Sequence, residues 1–175
     1  MMRRYLILCL ALTVAAISGR VGAGSTLESS QAFLAAAFPN GVPKSKVIWY
    51  SGTLGKEAAS ILGHRPKTLR QRYWLDASTG RSAWILDEVG KERPITFGIL
   101  IENDRITRLR VLRFRESRGG EIQFPFFTAQ FHQARLKGKQ LDRTIDGISG
   151  ATLSVRAAKK VAHLALFLHQ AVVDR

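Results

Sequence analysis

Hydroxyl side chains and small residues are concentrated between Asp146 and Ser154, a segment that reads D-G-I-S-G-A-T-L-S. A stretch without glycine or proline follows, from Leu153 to Val173, and its Ala, Leu and Val content is typical of a helix. The first N–H groups of a helix lack internal partners and carry partial positive charge, so that a loop of this kind can bind an anion. The spacing predicts a phosphate site with the Thr152 hydroxyl beside it. An ordinary helix N-cap formed by Ser149 or Thr152 is the alternative.

A second candidate segment lies upstream, at the end of a predicted strand. It reads Glu116-Ser117-Arg118-Gly119-Gly120, an acid and a hydroxyl followed closely by two glycines. Side chains at a strand end, before a flexible turn, are well placed to contact the edge of a ligand. Glu116 and Ser117 are therefore candidate ligand-binding residues.

Taken together, the two segments resemble the signature of FMN-binding domains. These domains occur in the sodium-translocating NADH:quinone reductase, in the Rnf complex and in related exported flavoproteins. Ser149-Gly150-Ala151-Thr152 is similar to the S/T-G-A-T motif of that family, and residues 116–120 are similar to its E-T-P-G-x-G stretch. Ser117 stands where the family has threonine, and Arg118 where it has proline. The resemblance covers the second half of the chain, from the strands near Pro94 onward.

The resemblance implies a covalent cofactor. In that family a flavin transferase, with FAD as the donor and Mg²⁺ as its metal, joins the FMN phosphate to the last threonine of the motif as a phosphoester. The matching residue here is Thr152. The resemblance also implies that Glu116 and Ser117 form hydrogen bonds to the pyrimidine side of the isoalloxazine ring. The full predicted set of cofactor-binding residues is Thr152, Ser149, Gly150, Ala151, Glu116, Ser117, Asp146 and Ser154.

Asp146 has two interpretations. Its carboxylate either orients the metal or the threonine hydroxyl during attachment, or forms an Asx turn with its own backbone, since such turns are common at aspartate.

The elements that must position these segments are predicted from hydrophobic periodicity. Alternating apolar residues predict strands, and apolar residues three and four positions apart predict helices. The expected strands cover 46–50, 70–76, 81–86, 95–101 and 106–115, and the expected helices cover 31–38, 54–62, 128–136 and the C-terminal stretch from 153. The predicted fold class is α+β: an antiparallel sheet flanked by helices, with FMN at the loop preceding the C-terminal helix.

Two features of the predicted sheet have more than one interpretation. Trp74 and Trp84 are candidates for stacking on a flavin, although packing within the sheet is the interpretation we favour. The alternation of the strand over 106–115 slips near Val111 and Leu112, which predicts a β-bulge. Such a bulge is expected to restore one apolar face and to gather arginines on the other, namely Arg108, Arg110, Arg113 and Arg115.

The N-terminus has the pattern of a secretory signal peptide. Two arginines precede an apolar run from Tyr5 to Ser18, and Val21 and Ala23 occupy the usual positions before a cleavage site. We therefore expect residues 1–23 to be a cleaved signal peptide and residues 24–175 to be a single FMN-binding domain in the periplasm. An uncleaved membrane anchor is the alternative, although the run is shorter than the roughly 20 residues of a membrane span.

The charge and the cysteine and histidine content of the chain indicate which partners and cofactors it could bind. The chain has 27 lysines and arginines against 13 acids, a net charge of +14. This charge favours docking onto an acidic or membrane-bound redox partner, and the absence of a recognisable reading motif argues against nucleic acid. The only cysteine, Cys9, lies in the leader, so the processed chain would have no disulfide and no cysteine-ligated cluster. The four histidines show no metal-ligand spacing.

The function that these features favour is an exported electron-transfer flavoprotein. It would pass electrons between membrane or periplasmic redox partners through FMN joined to Thr152. A redox-sensing or scaffolding FMN-binding module is the alternative, and a basic anion-binding domain without flavin is a third. No acid–base pair or nucleophile–base pair has a recognisable spacing, so we expect a carrier that is a substrate of the flavin transferase rather than an enzyme.

Overall fold

A computed structural model describes residues 27–173 of the chain. The predicted signal peptide lies outside the described residues. The main sheet has five antiparallel strands in sequence order: β1 (Lys46–Trp49), β2 (Arg70–Asp76), β3 (Arg81–Val89), β4 (Pro94–Glu102) and β5 (Arg105–Arg113). A two-stranded hairpin pairs β6 (Leu136–Lys137) with β7 (Gln140–Leu141). The helices are α1 (Ser30–Ala37), α2 (Gly52–Leu62), α3 (Pro125–Thr128) and α4 (Thr152–Val173).

These elements form three layers, and the predicted α+β class is confirmed. α2 and α4 cover one face of the sheet, where the larger core contains Trp84, Phe97 and Leu168, all fully buried. α1 covers the opposite face through a smaller cluster built around Phe33. Gly98 lies beneath that ring, since a Cβ there would lie 3.0 Å from the Phe33 ring carbons. Among residues 27–173, no helix is both long and apolar enough to span a membrane.

Trp84 is part of the core. Its ring stacks on Tyr73 with centroids 5.0 Å apart, and its Nε1 donates to Ser82 Oγ at 2.7 Å. The interpretation of packing within the sheet therefore holds for this tryptophan. Trp74 points to the α1 side and is half-buried there.

A β-bulge is present where the sequence predicted one. Thr96 pairs with Arg113 but Phe97 pairs with Val111, so that Leu112 is the extra residue. The bulge does not restore a single apolar face, and that prediction is wrong. Val111 joins the core under α4, whereas Leu112 packs into the smaller cluster on the α1 side. Apolar residues on both faces of β5 are needed because helices cover both faces of this sheet.

The helix expected over residues 128–136 is also wrong. α3 ends at Thr128 and a short 3-10 helix covers only Ala129–Phe131. Beyond it the chain leaves the helical path, with Gln133 at φ 63°. The N–H of Gln133 donates to Ile106 O at 2.7 Å, and the N–H of Ile106 donates to Ala134 O at 2.9 Å. This segment hydrogen-bonds to the outer edge of β5 instead of forming a helix.

Candidate cofactor site at the N-terminus of the last helix

The two segments singled out in the sequence meet in space. The chain leaves β5 and turns at Gly119, whose φ of 81° lies in the left-handed region that favours glycine. This turn packs on the first turn of α4. A Cβ added at Gly119 would lie 2.8 Å from Ser154 Oγ and 3.3 Å from Ala151 Cβ. Only a glycine fits here without displacing one of its neighbours.

α4 begins with free backbone donors. Gly150 has a φ of 81°, and Ala151 is the residue before the first helical position. The first helical bond runs from Val155 N to Ala151 O at 2.9 Å. The N–H groups of the three residues between these two precede the first carbonyl-bonded position of the helix, so they point out of its end. Because Ala151 occupies the N-cap position, neither Ser149 nor Thr152 is the N-cap residue.

The hydroxyl groups around this helix start differ in exposure. Thr152 is exposed on the first turn, and Ser149 is exposed in the loop before it. Ser154 is only 4 % exposed, because it lies against Gly119. Thr152 is therefore accessible to a modifying enzyme, whereas Ser154 supports the contact between the two segments.

An open cavity of about 540 Å³ adjoins this contact. Backbone and small side chains form much of its wall, and Arg118 contributes a positive charge. The lining residues are Ser117, Arg118, Gly119, Gly120, Glu121, Gln123, Phe124 and Gly150. The wall combines three glycines, a hydroxyl and an aromatic ring with one cation and the carboxylate of Glu121. The glycine backbone and the ring suit a phosphorylated aromatic cofactor.

The phenylalanines that follow the Gly119 turn divide into two groups, and of these Phe124 lines the cavity. Phe127 and Phe131 are fully buried in the core. Phe124 and Phe126 are 42 % and 62 % exposed, and their rings stack with centroids 6.2 Å apart. Large exposed rings beside a cavity present a flat apolar surface to whatever enters it.

Glu116 makes contacts that the sequence did not suggest. Its Oε1 accepts hydrogen bonds from the backbone N–H groups of Lys91, Glu92 and Arg93 at 2.5, 2.8 and 3.0 Å. The close approach requires Gly90, since a Cβ there would lie 2.8 Å from the same oxygen. Glu116 thus anchors the β3–β4 loop next to the site. Gly90, at the start of this loop, was the only feature of the sequence that indicated a close approach of another group.

These hydrogen bonds shift the titration of Glu116. Partial desolvation acts to raise the pKa of the carboxyl. The three backbone N–H donors and the charge of Lys91 outweigh desolvation and hold the pKa below its ordinary value. The carboxylate is therefore charged over a wider pH range than a free glutamate.

The loop before α4 is held by a residue that sequence reasoning missed. The backbone N–H of Asp146 donates to Gln130 Oε1 at 2.7 Å, while Ile145 is buried and Ile148 packs against the larger core. The Asp146 side chain is exposed. Gln130 could not be identified in advance, because nothing in its spacing relates it to a loop 16 residues away.

A buried carboxylate of β3 contacts α4 two turns after the helix begins. Glu88, at the end of β3, is 4 % exposed and accepts from Lys160 Nζ at 3.3 Å and from His64 Nε2 at 3.0 Å. The hydrogen bond of the His64 ring with Arg65 O, followed by that with Glu88, raises the pKa of His64. This cluster ties α4 to β3 and to the loop after α2. The ammonium group of Lys160 is therefore paired with Glu88.

Metal ligation has no visible basis in the described part of the chain. Within residues 27–173, no group of three or more His, Cys, Asp or Glu side chains could hold a metal ion. The groups that line the cavity are backbone donors, a hydroxyl, an arginine, a glutamate, a glutamine and an aromatic ring.

Comparison with known proteins gives one match. Residues 90–166 match the model of a family described as FMN-binding domain. The match begins at the glycine of the loop that Glu116 anchors and ends within α4, so it includes both segments of the site. It confirms the resemblance inferred from the two motifs. Searches of the curated proteins and of the solved structures find no match.

Proposed function

We propose that this FMN-binding flavoprotein, whose residues 90–166 form an FMN-binding domain, is an exported electron carrier with its FMN joined to Thr152 as a phosphoester. The observation that carries the proposal is the contact of the Gly119 turn with the first turn of α4, beside an exposed Thr152. The contact brings residues 117–120 and Gly150 to one cavity, and Thr152, which lies two residues beyond Gly150 and outside the lining of that cavity, is exposed.

Different residues of the site would bind the phosphate and the flavin ring of FMN. The N–H groups of the first turn of α4 and the positive helix end would neutralise the phosphate, with Arg118 adding charge. The glycines at 119, 120 and 150 allow the backbone to approach closely. Ser117 offers a hydroxyl, and the Phe124 ring offers an apolar surface for the flavin. Bound FMN supplies one- and two-electron redox chemistry, which no side chain of the site can provide.

Attachment to Thr152 requires an external enzyme. A threonine hydroxyl is weakly nucleophilic, so an external transferase must activate it. In the proposed step the Thr152 Oγ1 bonds to the FMN phosphorus of FAD and the pyrophosphate bond breaks. AMP is the leaving group, and the hydroxyl proton passes to a base of the transferase. Asp146 is exposed six residues before Thr152. Its carboxylate would either orient the metal or the threonine hydroxyl during this step, or form an Asx turn with its own backbone.

A covalent link suits a carrier that works outside the cytoplasm. Free flavin is scarce there, so a dissociable cofactor would be lost by mass action. A single short link keeps the cofactor at a high effective concentration in its site. The strongly basic surface would then speed encounter with an acidic or membrane-bound redox partner without requiring a tight complex.

The attachment is tested by intact mass. Protein coexpressed with a flavin transferase should be heavier, by one FMN less one water, than protein made without it, and Thr152→Ala should abolish this difference. Thr144→Ala is the matched control, because it removes an exposed hydroxyl from the stretch before α4, outside the motif, and should leave the modification in place. Unmodified wild-type protein in the presence of active transferase would contradict the proposal.

Electron transfer is tested on the loaded protein. Flavin absorbance is followed after mixing with a reduced membrane fraction and then with an oxidant. Rapid bleaching and recovery support a carrier. Flavin that stays oxidised in the presence of reduced membranes would instead indicate a sensing or scaffolding module.

A further inference from the structure

Charge is unevenly distributed along the chain. Residues 29–75 contain seven lysines and arginines but a single acid, Glu57. That acid is already paired, since Lys139 Nζ lies 3.3 Å from its Oε1. Every one of the seven cations is exposed: Lys44, Lys46, Lys56, Arg65, Lys67, Arg70 and Arg72. The segment precedes residues 90–166, which match the family model, and none of the residues assigned to the cofactor lies in it.

Exposed apolar side chains are concentrated in the same segment. Val42, Val47, Trp49 and Leu69 are 45 %, 40 %, 56 % and 78 % exposed. Single exposed apolar residues are ordinary, but several large ones close together and among cations mark an interaction surface.

Pairing of the first two strands brings the most exposed of these residues together. Trp49 is directly opposite Arg70 in the register of β1 and β2. The N–H of Tyr50 donates to Leu69 O at 2.9 Å, so Leu69 flanks the same strand end. The Arg70 guanidinium lies 5.7 Å from the centre of the Trp49 ring. We call this surface the β1–β2 corner, made of residues 44–49 and 65–72.

We infer that the β1–β2 corner docks on the surface of an anionic lipid bilayer. Tryptophan is favoured at the boundary between headgroups and acyl chains, and a protruding leucine adds buried apolar area. Lysine and arginine extend their charged ends to the headgroups while their stems cover apolar surface. The corner presents both kinds of side chain and lacks an unpaired carboxylate within residues 29–75.

The shape of the corner favours a bilayer over an acidic protein. Trp49 and Leu69 protrude from strand ends, and the cations of the corner are spread over two strands and the two loops that precede them. A bilayer offers continuous negative charge and an apolar layer beneath it, which suits cations at irregular spacing. A protein partner would need carboxylates placed opposite each one, together with pockets for both apolar side chains.

The corner also has a fixed relation to the cofactor site. β2 begins at the end of the sheet where β3 ends, β4 begins and β5 ends, so the corner and the site share this end of the sheet. Four strand spacings of about 4.8 Å separate the two edges, or roughly 19 Å. Docking would therefore hold the cofactor end of the molecule near the membrane surface. The inference does not require that FMN be bound.

The test measures sedimentation with lipid vesicles. Wild-type protein is mixed at about 0.1 M salt, where the Debye length is near 10 Å, with vesicles of phosphatidylglycerol and phosphatidylcholine or of phosphatidylcholine alone. We expect strong preference for the anionic vesicles. Arg70→Glu/Arg72→Glu and Trp49→Ser/Leu69→Ser should each lower the partition coefficient about tenfold or more.

Matched controls separate the corner from general charge. Lys137→Glu makes on the β6–β7 hairpin the charge change that Arg72→Glu alone makes in the corner, and it should retain most of the binding. Because every variant keeps the same N-terminus, differences between them report on the corner. Circular dichroism and urea unfolding verify that each variant is folded. Thr152→Ala should bind as the wild type does, so that failure of flavin attachment and failure of membrane docking are distinguishable.

Fluorescence shows whether the side chains enter the bilayer. Tryptophan emission should shift to the blue on binding and be quenched by brominated lipid, and Trp49→Phe should remove both effects. Equal binding to neutral vesicles, equal loss in the hairpin control, or binding to polyglutamate without binding to vesicles would overturn the inference.

Discussion

At the scale of single residues, the contact between the two segments depends on one glycine. Gly119→Ala introduces a Cβ at 2.8 Å from Ser154 Oγ in a backbone with φ of 81°. Left-handed backbone alone costs a non-glycine residue about 1–2 kcal/mol, and the clash adds to it. We expect a loss of about 2–4 kcal/mol in the free energy of unfolding, measured in urea, and reduced flavin attachment.

Gly138→Ala is the control for that experiment. Its φ is 62° and no atom lies within 4 Å of the added Cβ, so only the cost of the backbone conformation is expected. Equal destabilisation and equal flavin attachment in the two variants would show that the contact with α4 has no role.

Glu116 gives a prediction with a defined pH dependence. Its pKa is lowered in the folded protein, so its contribution to stability is present above the unfolded pKa and is lost as pH falls through the folded pKa. Glu116→Gln keeps the shape but replaces charged hydrogen bonds with neutral ones. It should cost about 1 kcal/mol at neutral pH.

The measurement is urea unfolding at neutral and at acidic pH. The difference between wild type and Glu116→Gln should shrink on acidification. Glu121→Gln removes an exposed carboxylate from the following turn and serves as the control. A cost that does not change with pH would mean that the hydrogen bonds to residues 91–93 do not depend on the charge.

At the scale of elements, the Glu88 cluster joins α4 to β3 and to the loop after α2. The pKa of His64 is raised in the folded protein. Its contribution is therefore fully present below the unfolded pKa of about 6.5 and is lost as pH rises through the folded pKa. The His64 side chain is 37 % exposed, so solvent screening limits the effect of His64→Gln to about 0.3–1 kcal/mol in acid, declining toward zero in base.

Unfolding curves of the two proteins at several pH values test this expectation. His132→Gln, whose ring nitrogen contacts the Thr107 carbonyl, corrects for removal of an imidazole. A destabilisation by His64→Gln that grows with pH has the wrong sign for this ion pair.

Periodic elements could be predicted from the sequence, and long-range contacts could not. The strands containing Trp84 and Ile99 and the helix after Thr152 follow from apolar spacing, because α4 and the sheet face beneath it bury their apolar side chains against each other. The helix expected over 128–136 was wrong because pairing of Gln133 and Ala134 with Ile106 overrides local preference. Only tertiary structure shows that Glu116 bonds to residues 91–93, since no local pattern links them.

In the candidate site, too, the sequence predicted the local motifs but not the contacts that depend on tertiary structure. Its residue types and order identified Thr152 and the Gly119 turn, because a phosphate loop needs small residues before a helix. The exposure of Thr152 against the burial of Ser154 depends on how the turn packs on α4. Nothing in the sequence alone distinguishes the accessibility of these two hydroxyls.

At the scale of the whole molecule, one end of the sheet carries the cofactor site and the β1–β2 corner. Export, which the proposed function requires, leads to a further prediction about the mature chain. Protein recovered from the periplasm should begin at Gly24 and should contain no thiol after denaturation, because Cys9 is removed with the leader. N-terminal sequencing and thiol titration measure these directly. A periplasmic chain that retains Met1 and its thiol would indicate an uncleaved anchor.

The central claim is that Thr152 carries the flavin, and peptide mapping tests it most directly. Trypsin cleaves after Arg143 and Arg156, releasing a peptide of residues 144–156 with four hydroxyl side chains: Thr144, Ser149, Thr152 and Ser154. In protein coexpressed with the transferase, tandem mass spectrometry should place one FMN less one water on Thr152. An unmodified peptide, or a flavin on any of the other three hydroxyls, would contradict the account.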